Sequence, residues 1–293
     1  LKKLDDYMAQ VVADGRVAGM TTLLARHGQV VEFKTYGKAS LETGAPITKD
    51  SIFRIYSMTK PITGVAMMIL FEGGKWRLDD PVTRYVPEFK NLRVVKSISK
   101  DGKMELEDMK RPPTMREIMS HTAGFGYGLS AASAVDREFQ RDNPHAQPNL
   151  QAAMNRLKDI PLLFQPGERW SYSYTVDVQA AALEKITGKT LGNYLYENVF
   201  TPLGMSDTSF FVSEENYKNR VAKVYTRNAT TGVKDVFPDG YSFTVRNHHE
   251  SGGGGLTSTT HDYIRFVQMI LNEGALEGQQ ILKPDTVKVM MTN

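Results

Sequence analysis

The stretch from Ser57 to Gly74 constrains the fold more than any other part of the chain. Ile62 to Phe71 is a short, very apolar segment, and Gly73-Gly74 stops it. Pro61 fixes the other end. Proline has no N–H and is tolerated only in the first turn of a helix, so the helix must begin at about Ser57. The strongly apolar run, Gly64 to Phe71, falls far short of the ~20 residues that span a bilayer. It reads as a helix of the interior, with no membrane span.

The rest of the chain is organised around it. At 41% hydrophobic and 24% charged over 293 residues, the composition is that of a globular protein. There are 36 basic against 33 acidic side chains, a net +3, with no run of Lys and Arg, so no nucleic acid partner is expected. The absence of cysteine excludes a disulfide framework, a thiolate zinc site and a Cys nucleophile together. Leu1 to Asp6 carry two lysines and two aspartates with no apolar stretch behind them, so no leader is read. That favours a cytoplasmic location, or a periplasmic or secreted one if a leader was removed.

Residues 1 to 14 read as an amphipathic helix, with Leu4 and Met8 at helical spacing. Two β-rich runs, 19–25 and 30–36, join through His27-Gly28, and a second hairpin is expected at 92–109, turning at Lys100-Asp101-Gly102-Lys103. Thr114-Met115-Arg116-Glu117 is a capping box opening a helix that ends before His121. Asp177 to Thr187 reads as a helix ended by Gly188. Thr259-Thr260-His261-Asp262 opens another, striped by Tyr263, Phe266, Val267 and Ile270. A final helix starts at Pro284. Two N-terminal strands cannot stand as a sheet alone; they need partners.

Chemistry centres on Ser57 and Lys60. Three residues apart on a helix they share a face, so the amine can reach the hydroxyl. At a helix start the free N–H groups and the dipole favour a developing oxyanion, and the apolar helix behind would desolvate the amine. A second Ser-x-x-Lys, Ser97 to Lys100, falls in the expected hairpin and reads as solvated surface. Tyr172, delivered by the turn Gln165-Pro166-Gly167-Glu168-Arg169-Trp170, could act as a phenolate or proton relay and complete a Ser–Lys–Tyr site. On pattern alone it reads as a packed aromatic, and the Ser57–Lys60 pair stays balanced between catalysis and an ordinary helix start.

Six motifs in one order tip that balance: Ser57-Met58-Thr59-Lys60-Pro61, Leu78-Asp79-Asp80-Pro81-Val82, Ser120-His121-Thr122-Ala123-Gly124, Pro166-Gly167 with Tyr172-Ser173, Pro202-Leu203-Gly204-Met205, and Gly253-Gly254-Gly255-Leu256. Together they resemble the serine β-lactamase and penicillin-binding-protein superfamily. The resemblance runs from about residue 16 to the end and is strongest to the branch of class C β-lactamases, D-alanyl-D-alanine carboxypeptidases and β-lactamase-like (family VIII) carboxylesterases. It implies an α/β (α+β) fold, with an antiparallel sheet flanked by helices and an inserted, mainly helical domain. Residues 1–56 and 249–293 would form the sheet domain and 57–248 the helical one, with the active site between them. It implies Ser57 as the acylated nucleophile, Lys60 as the group that helps deprotonate it, and Tyr172 as the proton shuttle to the leaving group. The Ser57 N–H would form half of the oxyanion hole.

Two departures matter. Class C β-lactamases have Tyr-x-Asn where this chain has Tyr172-Ser173-Tyr174, which favours esters over β-lactams. The family's third motif sits on a C-terminal sheet strand that supplies the other oxyanion N–H. Here no such strand is read after Gly252–Gly255; the chain runs into the helix of 261–272.

Other patterns are weaker. No Gly-x-Ser-x-Gly exists. Gly188-Lys189-Thr190 follows a helix and reads as its cap rather than a phosphate loop. His248-His249-Glu250 lacks a third ligand at helical spacing, His121 reads as structural, and neither metal nor cofactor is expected. The expected activity is hydrolysis of short- to medium-chain carboxylic esters through an acyl-enzyme on Ser57, with a small-molecule ester as the partner. The alternatives are a β-lactamase or D-alanyl-D-alanine carboxypeptidase, an acyltransferase, or a sensor module that is acylated without turnover. The sheet has two N-terminal strands and no sequence for C-terminal ones, which would need on the order of 60 residues more. A further segment is therefore expected to complete it.

Overall fold

His27 and Gly28 both take left-handed backbone, at φ +50° and +73°. That is the geometry a two-residue hairpin turn demands for its twist to match the strands. It closes an antiparallel ribbon of Gly19–Arg26 and Gln29–Gly37, paired from Gly19↔Gly37 to Arg26↔Gln29 with one irregularity at Leu24/Ala25. The computed structural model describes residues 1–227, 234–236, 244 and 249–292. Contacts divide the chain into two units. One comprises Leu1–Ile55, Phe200–Arg246 and Leu256–Val287, the other Tyr56–Val199, Asn247–Gly255 and Lys288–Asn293.

In the first unit, helix Lys2–Ala13 ties onto the ribbon through Asp5, which accepts from Tyr36 Oη at 2.8 Å and pairs with Lys34 at 2.7 Å. Among the described residues no third strand joins the ribbon. A separate pairing joins Ile52–Arg54 to Thr257–Thr259. The expectation that the chain passes from its glycine run straight into a helix is thus corrected: a three-residue strand intervenes. All three of its residues are buried although none is apolar, because their hydroxyls find partners. Thr257 Oγ1 donates to Ser209 O at 3.0 Å, and Ser258 Oγ lies 2.8 Å from Thr208 Oγ1. Helix Thr260–Leu271 follows, with Thr259 accepting from the Asp262 N–H as its cap.

The segment Phe200–Arg246 groups with these strands, where the sequence places it among the helices. The reason is backbone pairing: Ile52 N–H donates to Arg220 O at 2.8 Å, Ala222 N–H to Ile52 O at 2.9 Å, and Ser209 and Thr257 exchange two bonds.

The second unit is mainly helical. Helix Thr59–Glu72 buries eight residues, and Trp76 Nε1 donates to Met67 O at 2.8 Å. Helix Thr175–Thr187 also buries eight and ends at Gly188, whose φ of +69° closes the terminus. Thr114 and Glu117 form the full reciprocal capping box of helix Met115–Met119. The expected second hairpin is present as Arg93–Ile98 with Met104–Asp108, and it carries the second Ser-x-x-Lys, whose Ser97 Oγ bonds Glu105 at 2.8 Å. No helix among the described residues is long and apolar enough to cross a membrane. The described residues thus combine helices with short antiparallel strand pairs, the α/β mixture that the resemblance implies.

Candidate active site

Tyr56, immediately before the serine, has φ +43°, a left-handed conformation rare for a bulky residue and costing on the order of 1 kcal/mol or more. It turns the chain into a 3₁₀ turn, Tyr56–Met58, which opens into the apolar helix. Ser57 is exposed at that turn, and Lys60 lies part-buried behind it on the same face. Pro61 occupies the first helical turn, as its missing N–H requires.

The lysine is the hub of the site. Its Nζ lies 3.3 Å from Ser57 Oγ, 3.3 Å from Tyr127 Oη and 2.6 Å from the Gly253 carbonyl oxygen. The same Nζ faces two aromatic rings, at 4.7 Å from the Tyr172 centroid and 5.2 Å from that of Tyr127. Tyr172 Oη donates to Ser57 Oγ at 2.7 Å. Ser57, Lys60 and Tyr172 are therefore together, and all belong to the second unit.

Tyr172 is placed by a loop held along its length against residues 121–126. Gly167 N–H donates to Thr122 O, Ser171 N–H to His121 O and Tyr174 N–H to Gly126 O, at 2.9, 2.9 and 3.0 Å. Gly167 has φ +90°, and a Cβ there would lie 2.6 Å from Glu117 Oε1, a carboxylate engaged by Arg111. Only glycine lets the loop turn over that ion pair.

His121 buttresses Tyr172, with ring centroids 5.2 Å apart. Its Nδ1 accepts from the Ser173 N–H at 3.2 Å and lies 2.9 and 3.0 Å from the Ser173 and Thr175 hydroxyls. Burial, assisted by the charge of Lys60, pushes its pKa down to about 4. It is a neutral acceptor near pH 7, and its own φ of +59° makes it a second strained non-glycine residue at the site.

Tyr127 and the Gly253 carbonyl escape the sequence. Tyr127 has only one local signal, an aromatic set between Gly126 and Gly128 just past the Ser120–Gly124 motif. A backbone oxygen has no signal at all. The weighed metal pattern also rearranges. Glu250 is engaged by the Gly192 N–H at 2.7 Å, His248 lies outside the described residues, and His249 meets Asp177 and His145 instead.

Chemically, a hydroxyl flanked at hydrogen-bond distance by a lysine and a phenol can lose its proton to the neutral amine and attack an acyl carbon, with the phenol left to carry a proton onward. Tyr174, the third residue of Tyr172-Ser173-Tyr174, is fully buried. Its ring packs against His145 at 4.6 Å and Phe139 at 6.0 Å.

Comparison with known proteins identifies the family. The family profile described as Beta-lactamase matches residues 4–293. Protein Rv1367c of Mycobacterium tuberculosis is 32% identical over 292 residues, covering 97% of this chain and 70% of its own length. Esterase EstB of Burkholderia gladioli is 31% identical over 286 residues, covering 92% and 69%. Among solved structures, EstCE1, described as a hydrolase with promiscuous acyltransferase activity, superposes with a TM-score of 0.80 at 27% identity, covering 99% of this chain and 76% of its own.

Proposed function

The chain belongs to the beta-lactamase family, and from that premise we propose that it is a serine hydrolase, a carboxylesterase acting on short- to medium-chain esters through an acyl-enzyme on Ser57. The observation that carries this reading is the convergence of Lys60 Nζ and Tyr172 Oη on Ser57 Oγ, at 3.3 and 2.7 Å.

Ser57 Oγ attacks the ester carbonyl carbon while its proton passes to the neutral amine of Lys60, the Lys60–Tyr172 pair reacting in the form that holds one proton fewer than ammonium plus phenol. The Ser57 N–H, at a helix start, donates toward the oxygen that gains charge. Collapse of the tetrahedral intermediate breaks the carbonyl–alkoxy bond, and Tyr172 returns the proton to the departing alkoxide. Water then repeats the sequence, its proton taken by the same pair, to release the carboxylic acid and restore the Ser57 hydroxyl. Lys60 is aimed by Gly253 O and Tyr127 Oη, so its amine sits beside the hydroxyl before substrate arrives.

The buried Tyr174 supports esters over β-lactams, because it offers no amide to a β-lactam side chain. The exposed Tyr56 and Met58, which flank Ser57, and the exposed Trp170, 6.5 Å from the Tyr172 ring, support an apolar acyl group. The relative named Esterase EstB supports the same class. The description of EstCE1 supports a second reading, in which an alcohol replaces water in the second half-reaction and the protein transfers acyl groups.

The test is hydrolysis of a p-nitrophenyl ester series beside nitrocefin, with a fluorophosphonate probe to map the nucleophile. Turnover of the butyrate ester, negligible nitrocefin cleavage and labelling of Ser57 are expected. Ester hydrolysis that survives Ser57→Ala overturns the assignment.

A further inference from the structure

Behind the reacting groups, three side chains from three separate segments converge in the interior of the second unit. Asp177 comes from helix Thr175–Thr187 and is fully buried. His249 comes from the segment before the glycine run and is 3% exposed. His145 lies in the short 3₁₀ turn Pro144–Ala146. One ligand atom from each lies within 4.8 Å of the other two. By distance and angle neither Asp177 Oδ1 nor Oδ2, nor His249 Nε2, nor His145 Nδ1 makes a hydrogen bond to a described residue. Burial would raise the pKa of the carboxylate, but His249 and the Ser251 hydroxyl face it and hold that pKa down without closing such a bond. Buried polar atoms are rarely left so, and an unpaired buried carboxylate is among the most expensive.

The orientation of His249 sharpens the point. Its Nδ1 lies 3.2 Å from Gln147 O, and a carbonyl can only accept, so Nδ1 carries the hydrogen. In the neutral ring Nε2 then presents a lone pair toward Asp177, and lone pair and carboxylate repel unless a positive charge lies between them. The Nε2–Oδ1 separation is 3.6 Å, too long for a hydrogen bond. It fits ligands on a tetrahedral centre: arms of about 2.1 Å set neighbouring donor atoms about 3.4 Å apart. A ligand histidine ordinarily donates its second N–H to a carbonyl or carboxylate, as Nδ1 does here.

We propose that His145, Asp177 and His249 bind a divalent transition metal of the zinc class. Two imidazoles and a carboxylate suit that class, with the fourth position left to water or the second Asp177 oxygen. The site goes beyond the esterase reading and does not depend on it, because none of the three ligands bonds Ser57. Its role is a staple. It would tie the helix of Asp177 and the 3₁₀ turn of His145 to the segment 249–255, whose Gly253 carbonyl holds Lys60.

The test uses the full chain, stripped with a chelator and then titrated with Zn²⁺ or Co²⁺. One equivalent of metal by elemental analysis is expected, together with the visible d–d absorption of four-coordinate Co²⁺. The melting temperature should rise by about 5–10 °C at a hundredfold excess over Kd. His249→Gln and the isosteric Asp177→Asn should each lose the stoichiometric metal and the melting shift while keeping the wild-type circular dichroism. Ser57→Ala should bind metal like wild type, which separates this site from the hydrolase assignment. Substoichiometric metal with no melting shift overturns the proposal and leaves an imidazolium–carboxylate pair. Full metal binding by both ligand variants overturns it equally.

Discussion

A methyl group at Gly253 tests how Lys60 is held. None of Gly252, Gly253 and Gly254 has left-handed backbone, so the question at each is space alone. A Cβ at Gly253 would lie 2.5 Å from Asp177 Oδ2, about 0.9 Å inside ordinary contact at 3.4 Å. Asp177 is fully buried on a helix and cannot retreat, so the loop must. Overpacking of this size costs about 1–3 kcal/mol. A shift of that 0.9 Å takes the Gly253 O–Lys60 Nζ contact from 2.6 Å to about 3.5 Å, past useful hydrogen bonding. A hydrogen bond to a charged group contributes about 1.5–3 kcal/mol. If that loss is expressed in the transition state, Gly253→Ala lowers kcat/KM about 10- to 150-fold. At Gly254 the nearest atom would be Tyr56 C at 3.7 Å, ordinary contact, so Gly254→Ala stays within about threefold of wild type. The assay is p-nitrophenyl butyrate hydrolysis, normalised by fluorophosphonate titration of competent sites so that misfolding is not counted as lost chemistry. Equal damage from the two variants, or a Gly253→Ala enzyme with wild-type kcat/KM, refutes the argument that the loop carbonyl aims the lysine.

Three further outcomes are expected. Tyr172→Phe removes the 2.7 Å bond to Ser57 and should lower kcat/KM by about 10²–10⁴-fold, with Lys60→Ala at least as severe; near-normal rates in both would defeat the proton-transfer scheme. Tyr127→Phe removes one hydrogen bond to the amine and should cost only about 2- to 10-fold; a loss matching that of Tyr172→Phe would make it a proton carrier instead. His121 should make folding acid-sensitive. Its folded pKa, about 4, lies below the unfolded value of 6.5, so the unfolded chain takes the proton first. Its neutral form weakens no stability above pH 6.5, and stability falls as pH drops from there toward 4. Melting curves of wild type and His121→Gln should therefore diverge across that window, and parallel curves would contradict the assignment.

What the sequence reveals follows the range of the forces involved. Pro61, Gly73 and Gly188 act on their own backbone, and Thr114 reaches Glu117 within one turn, so the helix ends are readable without tertiary information. His27-Gly28 is equally local. Ser57 and Lys60 share a helical face three residues apart, and their pairing is readable for the same reason. Tyr172 gains meaning only beside the other motifs, since 115 positions separate it from Ser57. Tyr127 is 67 positions from Lys60, and no periodicity spans that distance. The strand Thr257–Thr259 hides for a different reason. Hydropathy assigns hydroxyl residues to the surface, whereas here Thr208 and Ser209 satisfy them in the interior. The convergence of His145, Asp177 and His249 is likewise a product of folding, invisible to any spacing rule.

Tyr56 and His121 together set the terms on which this protein can be hardened against heat. Each is a side-chain-bearing residue in left-handed backbone, one leading into the serine and the other bracing the tyrosine. Asparagine tolerates that conformation far better, so relief of backbone strain favours it at both positions, but at residue 121 it is set against the buried bonds and ring contact that the histidine makes. The same exchange removes the exposed ring beside Ser57 at one position and the acceptor that fixes Ser173 at the other. Hardening this protein against heat by relieving strain therefore reaches Tyr56 at the expense of the ring beside Ser57, and at His121 it meets bonds that already hold the strained turn in place.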